Sequence, residues 1–169
     1  MMRYLGFMEI DARDHWRHWM TISFLEPGGS VKDRVAMKLM ETAEAGGLLT
    51  PHSGDKVYEG TVGSTGVSLA ILCRARGYLA HICMPNDQAT EKSDLTKLGA
   101  EVEHVPPAPI ADRAQFVNKA RARSEEHTNS PSIPGRGFFA DQFENEANSV
   151  ASAVWPGPLA NLNMEALDT

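Results

Sequence analysis

A lysine follows a glycine pair in residues 26–34, which have the sequence EPGGSVKDR. Glycines allow a ligand to approach the backbone closely, and the free N–H groups at the start of a helix attract anions. The positive end of the helix dipole disfavours a second positive charge on Lys32, and Schiff-base chemistry requires a neutral amine. The run lacks the G-x-x-x-x-G-K-[ST] spacing of a P-loop. The alternative is an ordinary turn followed by a solvated lysine.

A second loop has three glycines spaced three residues apart, in the sequence EGTVGSTG at residues 59–66. Its glycines are Gly60, Gly63 and Gly66, and the hydroxyl groups between them belong to Thr61, Ser64 and Thr65. Because the loop follows a predicted strand, it should lie at the carboxyl end of a sheet, where α/β proteins bind ligands. Its N–H and hydroxyl groups suit a carboxylate or a phosphate. A tight turn that needs glycine is the simplest alternative.

The histidine and cysteine patterns predict no metal site. His15 and His18 have no third ligand at a recognisable spacing, and the other histidines are scattered along the chain. Cys73 and Cys83 provide neither a disulfide framework nor a Cys-x-x-Cys pair. We therefore expect two buried, reduced thiols and a cytosolic type of compartment.

Charge and length restrict the partners. The 169 residues include 16 basic and 22 acidic side chains, for a net charge of −6. An acidic surface repels phosphate backbones and anionic lipids, which argues against nucleic acid and membrane surfaces as partners. No apolar run approaches the ~18 residues that a membrane span requires. The length suits one domain, and we expect its ligand to be small.

The loop at residues 59–66 also departs from the G-x-G-x-x-G pattern of dinucleotide-binding proteins. The alternative of a nucleotide-binding module therefore rests only on the number of glycines.

Alternating strands and helices must position the two loops. Strands are predicted near residues 57–59, 78–84, 101–105 and 138–140, and helices over 30–45, 67–76, 87–98 and 111–123. Residues 124–136 are predicted to be a loop. Strands that alternate with helices in this way indicate a parallel sheet with right-handed crossovers. The predicted fold class is therefore α/β, a three-layer parallel sheet with helices on both faces.

The first helix has the clearest sequence signals. Its apolar residues recur every four positions, at Val31, Val35, Leu39 and Ala43. Ser30 and Asp33 resemble a capping box, and the glycine pair at residues 46–47 predicts the end of the helix. Three regions follow from the whole pattern: a poorly defined N-terminal segment at 1–24, an α/β domain at 25–148 and an unstructured tail at 149–169.

Taken together, these segments resemble the fold-type II pyridoxal-phosphate enzymes, and most closely the fungal members of the cysteine synthase family. Residues 26–34 are similar to the family's lysine signature, and residues 59–66 to its substrate loop. A third run, ADQFENEAN at residues 140–148, resembles the stretch whose glutamine contacts the substrate carboxylate. Three motifs in the family's order make the match specific.

The resemblance assigns roles to particular residues. It implies that Lys32 is the Schiff-base lysine for pyridoxal 5'-phosphate and also the proton shuttle. Ser64 stands where most of the family has an asparagine that hydrogen-bonds the cofactor's phenolic oxygen, and a hydroxyl can still donate a hydrogen bond there. The residues implied to bind the substrate α-carboxylate are Thr61, Gly63, Ser64, Thr65 and Gln142.

The resemblance also implies a reaction, an assembly and a location. The reaction is β-replacement, in which O-acetylserine and sulfide give cysteine, and the full-length family suggests a homodimer. The compartment would be cytoplasmic or mitochondrial, without secretion. Because the match ends before the family's phosphate-binding loop, we expect most of the larger domain to be missing and the chain to be a truncated or inactive form. The alternatives are a non-catalytic remnant and a β-eliminating relative such as serine/threonine dehydratase or cystathionine β-synthase.

Overall fold

The computed structural model describes residues 26–86 and 94–145. Within these ranges, the chain alternates between helices and the strands of one sheet. Its helices are α1 (Lys32–Ala45), α2 (Ser64–Arg76) and α3 (Phe116–Asn129), and its strands are β1 (Lys56–Gly60), β2 (Leu79–Pro85), β3 (Glu101–Val105) and β4 (Gly137–Phe139). Residues 94–97 are also helical, and the rest of the helix predicted at 87–98 lies mainly outside the described residues.

The sheet has the order β3-β2-β1-β4, and every pair of neighbouring strands is parallel. Side chains alternate across β1, so Val57 joins the apolar core with α1 and α2 while Tyr58 faces α3. Helices therefore cover both faces of the sheet. The predicted fold class, a three-layer parallel α/β arrangement, is confirmed.

The core lies mainly between the sheet and the α1–α2 pair. Its fully buried side chains include Leu39, Met40, Val57, Leu69, Cys73 and Ile82. Burial of each leucine, isoleucine or valine stabilises the fold by roughly 1.5–3 kcal/mol. Cys73 and Cys83 are both buried and free, and burial raises the pKa of each thiol to about 12. The predicted pair of buried thiols is confirmed.

Helix α1 agrees with its predicted apolar face at three positions of four. Val35, Leu39 and Ala43 are buried, whereas Val31 is 60% exposed because it precedes the helix as the N-cap residue. The predicted capping box is wrong. Asp33 accepts a hydrogen bond from the N–H of Gly28, outside the helix, instead of completing a reciprocal cap.

Helix α2 begins at Ser64, three residues before the predicted start at 67, so Ser64, Thr65 and Gly66 form its first turn. It ends as predicted, with Gly77 in the left-handed conformation (φ 78°).

The boundaries predicted for α3 were wrong at both ends. The helix begins at Phe116 because the side-chain oxygen of Gln115 accepts hydrogen bonds from the N–H groups of Val117 and Asn118. It continues to Asn129, so residues 124–129 of the predicted loop are helical. Burial of His127 against the sheet favours this longer helix.

The predicted segments at 1–24 and 149–169, including His15 and His18, lie outside the described residues. Among the residues that the structure does describe, no helix is both long and apolar enough to cross a membrane.

Candidate active site

Two loops that are distant in sequence meet at the carboxyl edge of the sheet. One follows β1 and leads into α2, and the other follows β4, the parallel neighbour of β1. The Thr65 hydroxyl donates a hydrogen bond of 2.6 Å to the side-chain oxygen of Gln142. Both residues are buried. The structure thus brings together two residues that the resemblance assigns to one carboxylate site.

Glu59, at the end of β1, also contacts Gln142. Its carboxyl oxygens lie 3.3 Å from the backbone nitrogen of Gln142 and 3.5 Å from the side-chain nitrogen of the same residue. Glu59 is fully buried, and burial raises the pKa of this carboxyl group to about 8. Sequence reasoning missed this residue, although a lone acid within an otherwise apolar strand was an available signal.

The chain turns sharply just before Gln142. Asp141 has φ 52°, a left-handed conformation that aspartate adopts more readily than most residues. Its side chain pairs with Arg121 on α3 at 3.0 Å, and its carbonyl accepts the N–H of Asn145. Helix α3 therefore helps to hold the turn that presents Gln142.

The loop after β1 is fixed by its backbone. The N–H of Thr61 bonds to the carbonyl of Cys83 on β2, and the Thr61 hydroxyl accepts the N–H of Gly63 at 3.3 Å. A Cβ atom at Gly60 would lie 2.4 Å from the Cα of Val117, so only glycine allows α3 to approach here. Gly63 faces open space instead, which leaves the start of α2 accessible to a ligand.

Lys32 lies at the start of α1, which packs against α2. The carboxylate of the next residue, Asp33, accepts hydrogen bonds from the Gly28 N–H and from the hydroxyl of Ser68 on α2. These bonds tie the glycine-pair loop to α2, the helix that begins within the loop of residues 59–66. Lys32 itself is half-buried, and no side chain in residues 26–86 or 94–145 forms a hydrogen bond or ion pair with its amine.

The residues present fit pyridoxal phosphate. They combine an amine without a partner in the described chain, the exposed hydroxyl of Ser64 at a helix start, and glycines at 29 and 63 where a Cβ atom would meet nothing within 4 Å. A planar, anionic aldehyde needs such an amine, such donors and such open backbone. The predicted site residues thus lie at the start of α1 and in the loop between β1 and α2, except for Gln142. Gln142 follows β4 and contacts that loop at Thr65.

A different cluster lies across β2 and β3. Ligand-type atoms of His81, Cys83 and Glu103 lie within 4.8 Å of one another, and cross-strand pairing brings them together in a way that sequence spacing does not reveal. Arg123 already binds both oxygens of Glu103 at 2.9 Å. This guanidinium and the protonated Cys83 thiol make the cluster a poor cation site.

Comparisons with known proteins give the same assignment. The family model described as pyridoxal-phosphate dependent enzyme matches residues 19–158. Cysteine synthase 2 of Emericella nidulans is 61% identical over 141 residues, which cover 78% of this chain and 33% of that protein. Cysteine synthase 2 of Schizosaccharomyces pombe is 54% identical over 136 residues, with coverages of 80% and 34%. The chain therefore spans about a third of the length of these relatives.

Solved structures show the same scaffold. An O-ureido-L-serine synthase superposes with a TM-score of 0.64 at 32% identity, covering 77% of this chain and 38% of that one. A hydrogen sulfide-producing enzyme from Fusobacterium nucleatum superposes with a TM-score of 0.58 at 30% identity, covering 74% and 37%. With the family model matched over most of the sequence, the chain belongs to the pyridoxal-phosphate dependent enzymes.

Proposed function

We propose that this chain carries the lysine and the substrate-carboxylate site of a cysteine synthase-type enzyme. Lys32 would hold pyridoxal phosphate and transfer the substrate α-proton. Ser64 would donate a hydrogen bond to the cofactor. The α-carboxylate of the substrate would be bound by Thr61, Gly63, Ser64, Thr65 and Gln142.

The observation that carries the proposal is the hydrogen bond between Thr65 and Gln142, 77 residues apart in sequence. It supports one shared site for the two motifs that the resemblance assigns to carboxylate binding. The Asp33 bridge to Ser68 supports the placement of Lys32 near that site.

For the whole protein we propose β-replacement, in which O-acetylserine and sulfide yield cysteine and acetate. When bound, pyridoxal phosphate supplies an electron sink for negative charge on the substrate Cα. The chain's own residues would orient the carboxylate and remove the α-proton with the Lys32 amine. The names of the fungal relatives support sulfide as the nucleophile.

A second candidate is β-replacement with another nucleophile. The structural neighbour named O-ureido-L-serine synthase favours it, because that name describes a β-substituted serine formed on the same scaffold. Both candidates use the same carboxylate site. Competition between sulfide and hydroxyurea-type nucleophiles in one assay would separate them.

The carboxylate site can be tested by titrating the protein with O-acetyl-L-serine while following backbone amide resonances. We expect the largest shifts at residues 63–66 and at Gln142. Shifts confined to residues 124–136 would contradict the proposal, and stronger perturbation of 60–66 by an adenine nucleotide would favour nucleotide binding.

A pair of variants tests the same site. Thr65→Val should weaken binding of O-acetyl-L-serine about tenfold, and Thr50→Val, at an exposed position, serves as its control.

We further propose that the protein forms a homodimer and is located in the cytoplasm or in mitochondria. The two buried, free thiols are consistent with a reducing compartment. Light scattering and cell fractionation would test these two proposals directly.

A further inference from the structure

Asp33 directly follows the candidate Schiff-base lysine, and its two carboxylate oxygens bind two different segments of the chain. Oδ2 accepts the N–H of Gly28 at 2.6 Å, and Oδ1 accepts the hydroxyl of Ser68 on α2. Ser68 is fully buried, so its hydroxyl needs a hydrogen-bond partner inside the protein. A carboxylate is the strongest kind of acceptor that it could find there. Asp33 therefore joins the loop that precedes Lys32 to a neighbouring helix.

We propose that Asp33 is a positioning residue, which holds the backbone of Lys32 in place relative to α2 so that the Lys32 amine can react with pyridoxal phosphate. The inference rests on the proposed function, because it assumes that Lys32 is the reactive amine. Asp33 acts through the backbone of its neighbour and is not expected to touch the cofactor or the substrate.

Two other contacts of residues 26–34 lie entirely within that loop. The N–H of Gly29 bonds to the carbonyl of Glu26 at 2.8 Å, and the N–H of Lys32 bonds to the hydroxyl of Ser30 at 3.0 Å. Such contacts give the loop its shape, but they cannot set its distance from α2. The bond that Asp33 accepts from α2 does so.

The glycine at position 28 allows Asp33 to approach the loop. A Cβ atom at Gly28 would lie 2.3 Å from Oδ1 of Asp33, the oxygen that accepts the Ser68 hydroxyl. A larger residue would therefore displace the carboxylate from one or both of its partners. The first glycine of the pair thus has a different purpose from Gly29, whose φ of 70° favours glycine directly.

Ser68 has a second acceptor within reach. Its oxygen lies 3.0 Å from the carbonyl of Ser64, one helical turn earlier. A hydroxyl has a single hydrogen to donate, so without Asp33 it would turn to this carbonyl. Bonding of this kind bends helices, and Ser64 is the residue proposed to donate a hydrogen bond to the cofactor. Asp33 therefore affects the first turn of α2 as well as the lysine.

The test compares the reactivity of Lys32 in folded variants of the full chain. Each protein is incubated briefly with pyridoxal phosphate below saturation and is then reduced with borohydride. The lysine nitrogen bonds to the aldehyde carbon with loss of water, and borohydride reduces the C=N bond to a stable amine. Peptide mapping gives the ratio of label on Lys32 to label on Lys97, an exposed lysine that serves as the internal reference.

We expect Asp33→Asn to lower this ratio about tenfold, because the amide offers one acceptor oxygen where the carboxylate offers two. Ser68→Ala should also lower the ratio. The double variant should lose little more than Asp33→Asn alone, because both substitutions break the same bond. Glu44→Gln is the matched control, since it also removes a negative charge from α1 and weakens a bond to α2, from Arg76, but far from Lys32. Its ratio should match wild type.

A second readout needs no cofactor. Ser68 and Gly28 bond to different oxygens of Asp33, so Ser68→Ala should shift the backbone amide resonance of Gly28, whereas Glu44→Gln should not. An unchanged Gly28 resonance in folded Ser68→Ala would overturn the inference. So would an unchanged label ratio in Asp33→Asn with a lowered free energy of unfolding, which is the result expected of a merely structural residue. If Asp33→Asn does not fold, an unchanged ratio in Ser68→Ala overturns it instead.

The inference and the proposed function fail in different ways. If wild type carries no more label on Lys32 than on Lys97, the proposed role of Lys32 is refuted, and this inference with it. Preferential labelling of Lys32 that is unchanged in both Asp33→Asn and Ser68→Ala would overturn the inference alone.

Discussion

At the scale of single residues, the neighbours Lys32 and Asp33 differ in how the described chain uses their side chains. The Lys32 amine has no partner in the described chain, whereas Asp33 beside it bonds to two separate segments. The fixed aspartate holds the loop, and the unpaired lysine is available for chemistry. This division predicts different consequences for the two residues.

We predict that Lys32 is the residue modified by pyridoxal phosphate. The protein is incubated with the cofactor and reduced with borohydride, and the labelled peptides are mapped. The label should be on Lys32 and should disappear in Lys32→Ala, whereas Lys38→Ala, on the same helix, should retain it. Substitution of Lys32 should leave stability within about 0.5 kcal/mol of wild type, because a half-buried lysine at a helix start contributes little packing. Labelling of Lys38 or Lys56 instead would refute the assignment.

Glu59 gives a prediction about pH. Burial raises the pKa of this carboxyl group from 4.5 to about 8, so between these values the folded protein binds a proton that the unfolded chain has lost. The free energy of unfolding should therefore fall as pH rises from about 5 to 8, by up to several kcal/mol. Glu59→Gln, which is neutral at every pH, should remove this slope in urea unfolding measured at pH 5, 6.5 and 8. Parallel slopes for the two proteins would contradict the prediction.

Sequence reasoning could predict which residues form the candidate site but not which contacts support them. Lys32, Thr65 and Gln142 were assigned through motif resemblance, and the structure brings the last two into contact. Glu59 was not assigned: the lone acid in a predicted strand was a visible signal, but its contact with Gln142, 83 residues later, depends on tertiary packing. The contact between Asp33 and Ser68 was hidden for the same reason.

At the scale of elements, close approach between α3 and β1 depends on Gly60. A Cβ atom there would lie 2.4 Å from the backbone of Val117, which has no flexible end to move aside. We predict that Gly60→Ala lowers the free energy of unfolding by about 1–3 kcal/mol. Gly63→Ala is the matched control, since its Cβ atom would meet open space and its φ of −143° suits any residue. Urea unfolding of both variants measures the difference, and equal losses would argue against this packing.

Asp55 anchors the start of β1 in a comparable way. Burial alone would raise the pKa of this carboxyl group, but hydrogen bonds from the N–H groups of Arg136 and Thr50 outweigh burial and lower it. The stability that Asp55 contributes is therefore present above the carboxyl group's ordinary pKa and is lost as pH falls through the lowered value. We predict that Asp55→Ala costs about 2–3 kcal/mol at pH 7, whereas the exposed control Asp94→Ala changes little. The difference between the two variants should shrink in urea unfolding at pH 3.

Helix boundaries show where sequence patterns were insufficient. The glycines at 46 and 77 correctly predicted helix ends. The start of α3 was missed because glutamine is an uncommon capping residue, and its extension to Asn129 because burial of His127 depends on Tyr58, 69 residues earlier. The first error arose from an unusual local cap, and the second from a tertiary contact that local sequence patterns do not reveal.

At the scale of the whole molecule, β1 and β2 are the inner strands and β3 and β4 the edges of the described sheet. Inner strands have neighbours on both sides, so they open only with the whole fold. We predict the slowest backbone amide exchange at residues 57–59 and 80–84, and faster exchange in β4. Equal protection of β4 and β1 would indicate that another part of the protein covers the edge.

The order in which the chain is synthesised gives the pairing of β1 with β4 a further consequence. Asp55 and Arg136, which join the starts of these strands, are 81 residues apart. At a translation rate of roughly 5–20 residues per second, β1 leaves the ribosome about 4–16 seconds before its neighbour. During that interval one edge of β1 is unpaired, and exposed strand edges are sites of aggregation. Gln142 emerges last among the proposed site residues, so the proposed carboxylate site cannot form until β4, the neighbour of β1, has also been synthesised.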